Sequence, residues 1–238
     1  MGLLDLPAPL LSWTDLQLAR AAPEAARILV WAAAAAVLSM LLYWVLSPQR
    51  RLARMAAEER SLRGRLDDAH ATMADGLASS GRLLRLALLR LGLVLLPACI
   101  ATLPVLCIMV WLHAHYAYEM PQANAEVTVR VEPETAEGRL IAGDPARVEV
   151  RDAGGALLQS VPLGAAVPVV HKRVWWNVLV GNPLGYLPDS STIDRIEIDL
   201  PEKRYLSVGP GWMRGWESLF VATLLAGSLL LKLLFRIR

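Results

Sequence analysis

Apolar residues run almost without interruption from Arg27 to Ser47, from Leu83 to Leu112 and from Trp216 to Phe235. Each run meets the ~20 residues a helix needs to cross ~30 Å of hydrocarbon. Backbone polar groups inside lipid must be satisfied within their own segment, so each run is predicted as a helix. Between the first two runs the pattern changes. Leu52, Met55, Leu62, Leu66, Ala69, Met73 and Leu77 recur at three- and four-residue steps, the spacing of one helical face. Glu59 interrupts that stripe and Gly64 weakens it, while Gly76, Ser79, Ser80 and Gly81 are breakers. The segment therefore reads as one long helix or as an antiparallel hairpin turning between Asp67 and Gly81. From Arg82 to Arg90, arginines alternate with leucines, the pattern of a stretch entering the membrane at a grazing angle.

Between the last two runs the period drops to two. Ala125 to Val131 alternates Val127, Val129 and Val131 against Thr128 and Arg130, and Arg147 to Arg151 repeats the pattern with Val148 and Val150. Asp152-Ala153-Gly154-Gly155 is a turn signal leading into a return strand from Ala156 to Val161. Val167 to His171, Arg173 to Val180, Ile193 to Leu200 and Arg204 to Val208 supply further short strands, so a small sandwich or open barrel is expected. Trp175, Trp176, Tyr186, Trp212 and Trp216 are candidates for the head-group level, where amphipathic rings concentrate. The alternative places Trp175 or Trp176 in the sandwich core, since strand alternation lets only one of the pair point inward.

The fold class that emerges is a membrane α-helical protein with three transmembrane helices, a cytoplasmic helical segment and an inserted, sandwich-like, extracytoplasmic all-β domain. Its divisions are an N-terminal segment 1–26, a first span 27–47, the helical segment 48–82, an amphipathic entry and second span 83–113, the β domain 114–214 and a third span 215–238. The N-terminal segment carries Asp5, Asp15 and Glu24, and Pro7, Pro9 and Pro23 break it, so it does not have the form of a cleaved signal. Leu10 to Ala22 is predicted as an interfacial helix, with Leu11, Leu16 and Leu18 on its apolar side and Trp13 as an anchor.

Composition agrees: 55% of residues are apolar, above the roughly 45–50% usual for a soluble domain. The net charge of +2 gives no reason to expect a nucleic-acid partner. Its distribution sets the orientation. Arg50, Arg51, Arg54, Arg60, Arg63, Arg65, Arg82, Arg85 and Arg90 outnumber the acidic residues between the first two spans, and Lys232, Arg236 and Arg238 close the third. Basic loops stay on the cytoplasmic side, so a multi-pass protein of the cytoplasmic (inner) membrane is expected, N-terminus outside and C-terminus inside.

No constellation of residues carries enzyme chemistry. His70, His113, His115 and His171 are scattered, and HExxH, paired CxxC, P-loop and GxSxG motifs are missing, so neither a cofactor nor a metal is expected. Cys99 and Cys107, eight residues apart on one predicted helix, are too distant to bridge and read as packing residues. What remains is polar chemistry within the spans. Ser39 and Tyr43 lie in the first, Thr102 with Pro97 and Pro104 in the second, and Thr223, Ser228 and Lys232 in the third, with Glu217 at its mouth. Such groups face a bundle interior or a hydrated cavity, act as packing glue, or in the case of Lys232 snorkel to the interface.

A span entering the cytoplasm is followed by a basic helical segment and a proline-containing second span. The third span begins Gly215-Trp216 and ends Leu230-Leu231-Lys232-Leu233-Leu234-Phe235-Arg236. Over Arg27 to Leu112 and Arg214 to Arg238 this arrangement resembles the YidC/Oxa superfamily of membrane protein insertases. The nearest branch is its three-span members, the archaeal YidC-like proteins and the insertase subunit of the ER membrane complex. The resemblance implies a half-open polar groove that guides client segments, lined here by Ser39, Tyr43, Thr102, Ser228 and Lys232. Arg82, Arg85 and Arg90 would stand at the inner interface, and the partners would be membrane protein clients, subunits of a membrane complex and the lipid bilayer. Two features depart from the family. Ile28 to Leu46 holds no charge where bacterial members place an arginine, and a β domain is inserted where three-span members have a short connection. A second function class therefore stays open, a non-catalytic accessory subunit that docks a partner through its spans and outer domain.

Overall fold

A computed structural model describes residues 2–66, 73–121, 127–141, 143 and 145–235. Its helices are α1 (Ala8–Leu18), α2 (Glu24–Leu46), α3 (Gln49–Leu66), α4 (Met73–Tyr116) and α5 (Trp216–Phe235). Among the described residues, three stretches are long and apolar enough to cross a membrane: Glu24–Leu46, Ser80–Tyr116 and Trp216–Phe235. The chain divides into two compact units, Met1–Ala32 with Leu106–Ala222, and Ala33–Val105 with Thr223–Arg238.

The first unit contains the β domain. Strands β1 (Val129–Glu132), β6 (Arg195–Ile198) and β5 (Val169–His171) form one antiparallel sheet in that order. Strands β2 (Ala136–Ile141), β3 (Arg147–Asp152) and β4 (Leu157–Pro162) form the other, as a meander. Val131 and Val170 flank Ile196 in the first sheet, and Val148, Val150 and Val161 face inward from the second. One hydrophobic core joins these two inner faces. The turn after β3 forms as its sequence predicts. Asp152 Oδ1 accepts hydrogen bonds from the Gly154 and Ala156 amides, and Gly155 takes a left-handed φ of 83° that favours glycine.

Three strand expectations needed correction. Residues 136–141 form β2, which the alternation rule passes over because Ala-Glu-Gly-Arg-Leu-Ile has few β-branched residues. Gly138 belongs there because a Cβ would collide with the Val129 side chain. Arg173 to Val180 is not a strand; Trp175–Val178 is a 3-10 turn. The buried Asn177 carboxamide accepts from the Val174 amide and donates to the Val180 carbonyl, satisfying locally the groups a ladder would have used. Trp175 and Trp176 both point outward as a result, 82% and 43% exposed, and neither anchors the core. Arg204 to Val208 joins neither sheet and bends at Ser207 and Val208, because the Lys203 and Tyr205 amides bond to the carbonyls of Ala117 and Arg214. Ala125 lies outside the described residues.

Glu149 sits mid-strand in β3 with its carboxylate clamped by Arg151 (2.9 Å) and Arg147 (3.0 Å). The hydrogen bond from Arg151, then the charge of Arg147, hold its pKa below the usual carboxylate value. A group with a lowered folded-state pKa contributes stability above its unfolded value, near 4.3 for Glu, and that contribution is lost as pH falls toward the folded pKa. The β domain is accordingly expected to lose protease resistance as pH drops below about 4.3. Glu149→Gln should flatten that acid limb, measured by pepsin digestion of the whole protein across the range.

In the same unit, the first turns of α2, the last turns of α4 and the first turns of α5 pack tightly. Ile28, Leu112 and Phe220 are fully buried, and Trp31, Trp111 and Trp216 nearly so. Trp216 belongs to this helical core, against His113 and Phe220. His113 and His115 point apart as their spacing predicts: His113 meets Tyr118 and Trp216, while His115 stacks on Trp111. The N-terminal helix is shifted to Ala8–Leu18, and the apolar side expected for it is split. Leu11 turns inward with Ser12 and Asp15, whereas Leu10, Trp13 and Leu16 turn out.

In the second unit, α2 and α5 approach closely where Gly227 meets Ala36; a Cβ on Gly227 would lie 3.3 Å from that of Ala36. Ala35 and Ala36 are buried there, while Leu41, Val45, Leu96 and Leu233 stand exposed. The helix α4 continues unbroken through Gly76, Ser79, Ser80 and Gly81, where breakers were expected, and through Pro97 and Pro104. Glu59 of α3 meets Arg90 of α4, so these two helices lie side by side as the hairpin reading requires. Residues 67–72, between these helices, lie outside the described residues.

Candidate functional site

Two arrangements of polar groups stand out, one in each unit. In the second unit, the end of α2, the first half of α3 and the middle of α4 enclose a cleft of about 470 Å³. Tyr43 contributes from α2, Leu52, Ala53, Ala56 and Glu59 from α3, and Ala87, Arg90, Leu91 and Val94 from α4. The alanines of α3 leave the space, since larger side chains on that face would fill it. Arg90 Nη1 donates to Glu59 Oε2 at 3.1 Å, which places an ion pair beside an otherwise largely aliphatic lining. The cleft combines apolar walls, one phenol and one exchangeable charge pair, an arrangement suited to holding a mixed polar and apolar segment.

Of the groove residues expected from sequence, the structure brings only Tyr43 into this cleft, where it is joined by Arg90, expected instead at the inner interface. Ser39 and Ser228 are half-buried on α2 and α5, outside its lining. Thr102 is exposed and donates its hydroxyl to the Cys99 carbonyl 2.7 Å away, a local bond that consumes its donor. Lys232 is exposed near the end of α5, and Arg82 and Arg85 are exposed on α4. Glu59 was seen in the sequence only as a break in the apolar stripe. Its position four residues beyond Met55 on that stripe is the signal that it faces a neighbouring helix.

The first unit holds a denser network that sequence reasoning missed. Asp15 of α1 accepts from Arg27 Nη1 (2.5 Å), Trp31 Nε1 (3.0 Å) and the Tyr116 hydroxyl (2.7 Å). The Asp15 and Arg27 side chains are only 13% and 12% exposed. Arg27 also lies 5.3 Å from the Tyr116 ring centroid, a cation–π contact. Nearby, Glu24 accepts from Lys203 Nζ and the Tyr205 hydroxyl, and that hydroxyl also lies 3.0 Å from the Tyr116 carbonyl. Burial, then the Glu24 carboxylate, push the Tyr205 phenol well above its ordinary pKa, so it stays protonated and able to donate. Trp111 Nε1 donates to Ser12 Oγ at 2.9 Å. Together these bonds fasten α1 to α2 and α4 and tie the segment after β6 back to the start of α2. Asp15 and Arg27 flank the Pro23 break, which is the one sequence hint that the chain folds back there and brings them together.

Among the described residues, no cluster of His, Cys, Asp and Glu is placed to hold a metal ion. No family model, no curated protein and no solved structure matches this chain.

Proposed function

We propose that this chain is a YidC/Oxa-like membrane protein insertase or membrane-complex assembly chaperone. It sits in the cytoplasmic membrane with its β domain outside and α3 in the cytoplasm, the side its arginines favour. The observation that carries this reading is the cleft lined by Tyr43, Glu59 and Arg90 at the root of the basic helical hairpin. Moving a charged residue to the bilayer centre costs ~2.5–3.5 kcal/mol on insertion scales, and no chemical step is needed to lower that barrier. A cleft offering a phenol and an exchangeable ion pair part-way along the path shortens the unfavourable stretch. An acidic client group would take Glu59's place on Arg90, while Arg82 and Arg85 hold the hairpin's root to anionic head groups. Ser39, Thr102, Ser228 and Lys232 play a lesser part in this scheme than the three cleft residues.

A photo-crosslinking residue at Ala56 or Leu91 in native membranes tests the reading, with one at the exposed Leu96 as control. Newly made membrane segments should be captured at 56 and 91 during a pulse and be lost from the adduct during the chase. The double variant Tyr43→Leu, Arg90→Leu should lower that capture several-fold at unchanged protein level. A single long-lived membrane protein in the adduct, persisting through the chase, would instead identify an accessory subunit.

A further inference from the structure

Every exposed residue from Gly2 to Leu18 is apolar: Leu3, Leu6, Pro9, Leu10, Trp13 and Leu16. The leucines and the tryptophan among them are 57–71% exposed. Its acidic side chains and Ser12 turn the other way, while Thr14 bonds within its own helix, to the Leu10 carbonyl. Asp5 accepts from the Gly2 and Gly181 amides, Ser12 from Trp111, and Asp15 from Arg27, Trp31 and Tyr116. For a helix lying on a water-facing surface this is inside out. The first exposed charge is Arg20, beyond the end of α1.

Depth follows from the contacts. Trp31 lies seven residues into α2 and Trp111 five residues before the end of α4, so at 1.5 Å per residue α1 touches the spans ~7–10 Å below their ends. Its outward face is continuous in kind with the exposed Leu29 and Val30 of α2 and Leu106 of α4, which belong to helices long and apolar enough to cross a membrane. The Leu4 amide bonds to the Leu179 carbonyl, and Trp175, Val178 and Leu179 extend the exposed apolar rim onto the β domain. Eleven residues of helix span only ~16 Å, too short to cross ~30 Å of hydrocarbon.

We propose that α1 and the turn before it lie within the acyl-chain region of the leaflet on the β-domain side, an anchor that enters one leaflet without crossing it. Lipid hydrocarbon is its partner. The conclusion holds whether or not the chain inserts clients, because it rests on the first unit alone. A wedge in one leaflet adds cross-sectional area to that leaflet only, and the Asp15 network keeps it from detaching.

Spin labels on Leu10→Cys and Leu16→Cys, in the whole protein with Cys99 and Cys107 changed to alanine, test the placement. The protein would be studied in nanodiscs of phosphatidylethanolamine and phosphatidylglycerol, with Leu225→Cys as the lipid reference and Ala153→Cys as the water reference. The labels at 10 and 16 should meet dissolved oxygen as often as the label at 225. They should meet a water-soluble nickel chelate several-fold less often than the label at 153. A nickel collision rate nearer that of 153 than of 225 would put α1 in water and overturn the proposal. Low collision with both probes would mean that protein covers the face, most simply a second copy, and would overturn it equally.

Discussion

Asp15→Ala is expected to cost about 3–5 kcal/mol, the scale of a buried ion pair broken by removal of one partner. Arg27 would keep its charge at 12% exposure with only the longer, 3.9 Å ion pair to Glu24, a carboxylate that also serves Lys203. The Trp31 indole and Tyr116 hydroxyl would lose their acceptor as well. Unfolding in detergent, followed through tryptophan fluorescence, should show the loss as a lowered midpoint. Asp15→Asn keeps an acceptor for Trp31 and Tyr116 without the charge and should fall between alanine and the parent. The double variant Asp15→Ala, Arg27→Ala should recover part of the loss, because most of the single-variant cost is the stranded charge. Simple addition of the two single losses would mean that the pair is not coupled and that the network is a set of separate contacts.

Ile196→Asp should unfold the β domain while leaving the spanning helices in place. Ile196 has no exposed surface and sits at the centre of β6, the middle strand of its sheet, between Val131 and Val170. A carboxylate there has no cation or donor among the core side chains, which are aliphatic, so the cost is on the order of 4 kcal/mol or more. A domain of about a hundred residues with a modest core cannot absorb that loss. The readout is limited proteolysis: trypsin should cut throughout 127–205, with α2 and α5 protected by lipid. Leu157→Asp, at a position 53% exposed in β4, should change the pattern little. Unchanged protection of Ile196→Asp would mean that the two inner faces do not form one core.

The parts of this structure legible in the sequence are those decided by residues close together in the chain. Helix length in lipid follows from an uninterrupted apolar run, and all three spanning stretches fall where those runs lie. The β3–β4 hairpin follows from alternating valines and an Asp-x-Gly-Gly turn, each a property of a dozen neighbouring residues. Where a side chain's partner is distant, the sequence was silent or misleading. Alternation in Arg173 to Val180 pointed to a strand, but the Asn177 side chain competed for the same backbone groups and won. Leu11, Leu16 and Leu18 read as one interfacial side of α1, but Asp15 has its partners on α2 and α4, and burying that carboxylate against Arg27 turned Leu11 inward and left Leu16 outward.

The candidate cleft shows the same division. Tyr43 and Arg90 were recognisable as polar residues in or beside apolar runs, since a charge or phenol in lipid needs a reason to be there. Glu59 and the alanines that open the cleft were not, because a cavity is defined by what three separate helices leave unfilled. The sequence alone determined the number of apolar spans and the existence of a β-rich insertion, because hydrophobic length and period act locally. Which face each helix presents, which polar groups pair and where space remains were decided only by the tertiary structure. Those outcomes depend on satisfying buried charges and donors contributed by segments distant in the chain, 101 positions apart for Asp15 and Tyr116 and 181 for Glu24 and Tyr205.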